Sequence, residues 1–122
     1  MPFFSARLHV ICIVDAEGHE GNPPKYTCDY PFVLFEAADD DEAFNRAISL
    51  GKQQECRYQN SSGETVRWAL RAVEEIWRLP DQLDGIEIGS ILDVYQSDTR
   101  FSIDTMFEPE RIKPQISNVN LY

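Results

Sequence analysis

Of 122 residues, 21 are Asp or Glu and 11 are Lys or Arg, which gives a formal charge of -10. Apolar residues at 43% and charged residues at 26% are a globular balance, so wholesale disorder is excluded and the length suits a single domain rather than a multi-domain enzyme. The negative charge opposes any binding that works by neutralising phosphates, and no stretch approaches the roughly 18 uncharged apolar residues of a membrane helix; nucleic acid and membrane are therefore excluded as partners.

The apolar run Leu8 to Val14 is flanked and interrupted by Arg7 and His9, with no small-residue cleavage site after it, so it does not read as a signal peptide. Cys12, Cys28 and Cys56 are odd in number and widely spaced, which reads as reduced thiols and a cytoplasmic location; a Cys12 to Cys28 disulfide requires their strands to pair face to face.

Phe4, Ala6, Leu8, Val10, Cys12 and Val14 alternate with Ser5, Arg7, His9 and Asp15, the period of a β-strand, and Ile11 and Ile13 on the odd face suit cover on both sides of its distal half. The Gly- and Pro-containing run from Ala16 to Lys25 is a loop, and Tyr26 to Ala37 reads as a second strand in which Pro31 cannot donate to a ladder, so it belongs at an edge or a bulge. Asp39 followed by Glu42 is a capping box, which places a helix over about Asp40 to Gln53 with Phe44, Ala47, Ile48 and Gly51 along its apolar stripe and Gly51 as its stop signal. Glu55 to Gln59 is a short strand and Asn60 to Gly63 a hairpin turn. Glu64 to Leu79 satisfies two periods: Val66, Trp68, Leu70 and Ala72 alternate, yet Val66, Ala69, Leu70, Val73, Ile76 and Trp77 also form a helical stripe. Ile86 to Tyr95 reads as a last strand, and residues 96–122 as an extended tail.

The pieces Phe4-Ser5-Ala6-Arg7-Leu8, Glu36-Ala37, Asp41-Glu42-Ala43, and Tyr58, Asn60, Gly63-Glu64, Val66 and Trp68 resemble, in this order, a family of small bacterial proteins known only as a domain of unknown function. The resemblance runs from about Phe4 to Ser90. It implies that the stretch after the Asn60 turn is a long strand, so Glu64 to Leu79 is assigned as a strand that changes facing near Ala72 through a bulge. It brings no activity and no catalytic residue. The expected architecture is an α+β domain over residues 1–95. It has a mainly antiparallel sheet of four or five strands, one helix on one face, and a C-terminal extension over 96–122 that docks along the sheet or reaches a second subunit.

Candidate chemistry is sparse. Asp15, Glu17, His19 and Glu20 crowd the first loop but match no calcium or zinc spacing, and Asp39 to Glu42 is better explained as a capped helix start than as a magnesium site. His9 lacks a recognisable nucleophile context and Cys56 has only Arg57 beside it. No cofactor, no metal and no enzymatic activity are therefore expected. The charge is segregated: Asp15 to Glu42 holds nine acidic residues against one basic, and Asp81 to Asp98 five against none. With Tyr30 and Trp77 as aromatic anchors, Asp15, Glu17, Glu20, Asp39, Asp40, Asp41, Asp81 and Asp84 are the candidate partner-binding set. This reads as a docking surface for a basic protein, most concretely an immunity-type protein that neutralises a bacterial toxin. The alternatives are a self-associating structural or accessory module, a homodimer in which the tail swaps between subunits, and a small-ligand or hydrolytic site built around His9 and the first loop.

Overall fold

A computed structural model describes residues 1–15 and 25–115, and within it Met1–Ile91 and Leu92–Tyr122 are two separate compact units. The first unit contains a five-stranded antiparallel sheet and one α-helix. Strand β1 (Phe3–Asp15) lies at its centre. On one side β1 pairs with both β2 (Thr27–Asp29) and β3 (Phe32–Glu36); on the other it pairs along its length with β5 (Thr65–Arg78), which carries β4 (Cys56–Gln59) at the far edge. The α+β architecture expected from sequence is thus the one observed.

Alternation along β1 decides the layers. Phe4, Ala6, Leu8 and Val10 are buried toward the helix with Phe35 of β3, and Val33, Leu70, Val73 and Ile76 complete the layer beneath it. Helix α1 (Asp40–Gln53) begins as its sequence dictates: the Asp39 carboxylate accepts from Glu42 N–H at 2.9 Å, with three acids in the first turn and Lys52 in the last to complement the dipole. The Glu42 side chain reaches back one residue further than a strict capping box, accepting from Ala38 N–H at 3.2 Å.

The buried stripe of the helix is Ala43, Ala47 and Gly51, and Phe44 is half exposed on its flank. Small side chains four residues apart let the helix axis approach the sheet closely, a position a phenyl ring would prevent. Gly51 accordingly is no stop signal: it lies inside the helix, and a Cβ there would stand 2.8 Å from both Cδ atoms of Leu70.

The second strand expected over Tyr26 to Ala37 is broken in two at Tyr30 and Pro31, where the proline carbonyl accepts from Leu8 N–H at 2.9 Å while its nitrogen has nothing to donate. The β4–β5 turn forms as read, with Gly63 at φ 79° and the Asn60 side-chain oxygen accepting from the N–H groups of Ser62 and Glu64, each at 3.0 Å. β5 is the long strand assigned over Glu64 to Leu79, and the register against β1 shifts twice, between Arg7 and Leu8 and between His9 and Val10. These two bulges leave Glu74 and Arg71 as the extra residues, on either side of Ala72.

The strand expected over Ile86 to Tyr95 does not form. Its first half instead crosses the sheet face opposite the helix, where the Ser5 hydroxyl donates to the Ile88 carbonyl and the Arg7 guanidinium to that of Ser90. Lying over a face rather than along an edge, this strap satisfies carbonyls with side chains and builds no ladder. Among the described residues of the second unit, a turn is closed by Thr105 N–H donating to the Ser102 carbonyl at 3.1 Å, a short helical turn spans Pro109–Arg111, and Phe101 and Phe107 pack edge to face at 5.0 Å.

Candidate functional site

Antiparallel topology brings separate acidic segments to one end of the sheet. β3 ends at Glu36 opposite Phe3, and β5 runs into Leu79, whose N–H donates to the Phe3 carbonyl at 2.9 Å. The residues that follow each strand, Asp39, Asp40 and Asp41 in one case and Asp81 and Asp84 in the other, therefore emerge beside the start of β1, and all five are exposed. Among the described residues none of the five forms an ion pair: the salt bridges are Arg7–Glu75, His9–Glu74 and Arg111–Glu108. Asp40 and Arg78 line a cavity of about 320 Å³ at this end, with Phe4 and Ile76 behind them.

Nearby cations are turned toward rings. Arg78 lies over Phe4 at 5.7 Å, Arg46 over Phe35 at 5.9 Å and Arg7 over Trp77 at 5.8 Å. Such stacking holds a guanidinium against an apolar surface, and apart from the Asp39 cap on Glu42 N–H the five carboxylates have no charged partner among the described residues. Asp15 stands at the opposite end of the sheet, paired with Thr65. Glu17 and Glu20, and His19 with them, lie outside the described residues. Of the six acids of the candidate set among the described residues, five share one end of β1 and Asp15 stands at the other.

The open face of the sheet holds the two aromatic candidates. Trp77 is half buried, stacked on Phe32 with ring centroids 6.1 Å apart and with Arg7 above it. Gly89 of the strap presses on this pair; a Cβ there would run into the Phe32 ring and come within 3.2 Å of Trp77 Cζ3. Tyr30 is 43% exposed and stacks on His9 at 4.9 Å.

His9 itself is the half-exposed strand histidine expected beside Arg7, but it has partners that the sequence does not announce. Its Nε2 lies 3.1 Å from Cys28 Sγ, and its Nδ1 3.3 Å from Glu74 Oε1. Cys28 arrives through the β1–β2 register, which sets it opposite Ile11, and Glu74 is the extra residue of a bulge in β5. Neither placement leaves a signal in residue spacing. The same register puts Cys12 opposite Thr27 and hence on the other face from Cys28, so no bridge joins these two cysteines and all three are free. Cysteine and glutamate use opposite nitrogens of one ring, so they do not converge on a common point, and among the described residues no group of three or more His, Cys, Asp or Glu could hold a metal ion.

No helix among the described residues is long and apolar enough to cross a membrane. The chain has no significant similarity to any curated protein or to any solved structure. A family profile, by contrast, matches residues 3–90, a span that opens with β1 and closes on Ser90, the strap residue held by Arg7. On that match the chain belongs to the family described as Domain of unknown function (DUF4288).

Proposed function

We propose that this domain is a non-enzymatic, acidic protein-binding module whose partner is a basic protein, most concretely a bacterial toxin that it neutralises in the cytoplasm by occlusion. The observation that carries the reading is the gathering of Asp39, Asp40, Asp41, Asp81 and Asp84 at one end of the sheet without ion-pair partners among the described residues. The helix cap and dipole account for Asp39, Asp40 and Asp41 at the start of α1, but not for Asp81 and Asp84, which add like charge to that end of the sheet. Concentrated, it steers a cationic partner and raises association rates roughly 10- to 1000-fold at low salt.

The test is co-expression with the basic products of neighbouring reading frames, scored by rescue of growth and by the association rate of the purified pair. Replacing Asp39, Asp40 and Asp41 with Asn removes three charges and is expected to slow association at least tenfold at low salt and to flatten its salt dependence. Absence of binding or protection with every neighbouring product defeats the proposal, as does an association rate indifferent to the triple substitution.

A further inference from the structure

The His9 cluster is independent of the acidic end and is not used by the binding function proposed above. Three side chains from three strands form a line: Cys28 Sγ, 3.1 Å to His9 Nε2, and His9 Nδ1, 3.3 Å to Glu74 Oε1. A carboxylate on Nδ1 selects the tautomer with the proton on that nitrogen, leaving Nε2 as an acceptor aimed at the thiol. Tyr30 stacks on the ring at 4.9 Å and fixes its plane. Nucleophile, base and orienting acid in this order are what activates a sulfur. Cys28 is also exposed, on a three-residue edge strand, so a small reagent can reach it.

We infer that Cys28, His9 and Glu74 constitute a reactive thiol site that takes up a mixed disulfide from low-molecular-weight disulfides. In the step, His9 Nε2 accepts the Cys28 thiol proton and the thiolate sulfur attacks one sulfur of the disulfide R–S–S–R. The S–S bond breaks as Cys28 Sγ–S–R forms, and the departing R–S⁻ takes the proton from the imidazolium and leaves as R–SH. One disulfide is consumed and one formed, so no further oxidant is required. Cys28 is the residue modified, His9 the base, and Glu74 a positioning residue.

Cys56 supplies an internal control, because it is also exposed and also on a short edge strand but has no histidine contact among the described residues. The full-length protein is treated at neutral pH with 4,4′-dithiodipyridine, a neutral disulfide that the acidic chain does not repel, and occupancy of each cysteine is followed by peptide mass mapping. Cys28 is expected to react at least tenfold faster than Cys56. His9→Phe, which keeps a ring against Tyr30 but has no base, brings the ratio of the two rates to within about twofold. Glu74→Gln, on an exposed side chain, lowers the ratio several-fold and leaves the Cys56 rate and the helix signal unchanged, and Glu74→Asp restores part of it. Equal rates at Cys28 and Cys56 in the unsubstituted protein overturn the inference, and so does a ratio that survives both His9→Phe and Glu74→Gln. A general loosening of the fold would also bring the two rates together, so the deciding variant is Glu74→Gln, in which the ratio falls while the Cys56 rate and the helix signal stay unchanged.

Discussion

Gly51 offers the sharpest test of how the helix meets the sheet, because two effects of known size oppose each other there. In an exposed helix interior, Gly→Ala stabilises by about 1 kcal/mol through reduced backbone freedom in the unfolded chain. At Gly51 the new methyl would lie 2.8 Å from Leu70 Cδ1, 2.8 Å from Cδ2 and 3.2 Å from Cγ, all inside van der Waals contact. Leu70 is packed against the core and its backbone is pinned, its N–H donating to Glu55 Oε2 at 3.1 Å, so relief requires an off-rotamer side chain or a lifted helix. Overpacking of this kind costs about 1–3 kcal/mol. The balance makes Gly51→Ala destabilising by about 1 kcal/mol, near 4 °C in Tm for a domain of this size. Leu70→Ala removes all three of the atoms that collide. In that background Gly51→Ala should stabilise by the full 1 kcal/mol or so, a coupling of about 2 kcal/mol between the positions. Urea unfolding of the four proteins, followed by circular dichroism, gives the cycle. A Gly51→Ala protein more stable than its parent, with no coupling to Leu70, would refute the close approach and leave the glycine without a packing role.

Other substitutions address the cap, the turn and the strap. Asp39→Ala removes the only side chain that accepts from Glu42 N–H at the helix start and is expected to cost about 1 kcal/mol in urea unfolding, whereas Asp41→Ala, on an exposed first-turn residue, should cost at most about half as much. At Gly63 nothing lies within 4 Å of a Cβ, so Gly63→Ala pays only for its φ of 79°; a loss of about 1 kcal/mol is expected, with Gly63→Asn milder, and equal stability of Ala and Gly there would contradict the turn. Gly89→Ala collides with Phe32 and should lift the strap from the open face, seen in a Trp68→Phe background as a red shift of Trp77 emission and easier quenching by iodide. Unchanged emission would mean that the strap does not rest on Trp77.

The sequence was a good guide wherever local chemistry decides. Asp39 and Glu42 start the helix, the Asn60 side chain and Gly63 make the turn, and the alternation of β1 selects the face that meets the helix. It misled where a residue's role depends on what comes to meet it. Gly51 looks like a stop because glycine usually is one, and only the arrival of Leu70 makes it a packing residue. The alternating pattern of Ile86 to Ser90 suits a strand and a strap equally, since both press one side on apolar surface; what distinguishes them is that the Ile88 and Ser90 carbonyls are met by the Ser5 and Arg7 side chains and not by a neighbouring backbone. For the acidic set, the run Asp39 to Asp41 was visible as charge, but its meeting with Asp81 and Asp84 follows from β3 and β5 both running antiparallel to β1.

The two bulges in β5 explain both why this segment imitates a helix and how the open face acquires a charged cluster. Its residues on the helix-facing side are Val66, Trp68, Leu70, Val73, Ile76 and Arg78, opposite Val14, Cys12, Val10, Leu8, Ala6 and Phe4 of β1. The spacing is two, two, three, three and two. Each step of three is a bulge, and two in succession produce the run Leu70, Val73, Ile76 that a 3.6-residue period also fits. Regular pairing continued from Glu75 opposite Arg7 would have set Glu74 opposite Leu8, with its carboxylate directed into the apolar layer beneath α1. Likewise, pairing continued from Ala72 opposite His9 would have set Arg71 opposite Val10. Each bulge therefore removes one charged side chain from the core face and substitutes an apolar neighbour, Val73 in the first case and Leu70 in the second. The carboxylate so displaced at Glu74 is the one that meets His9 Nδ1. The same irregularity that keeps the core apolar thus orients the imidazole toward Cys28, which is why stability and thiol reactivity at this position are expected to respond to different substitutions: Val73 governs the first and Glu74 the second.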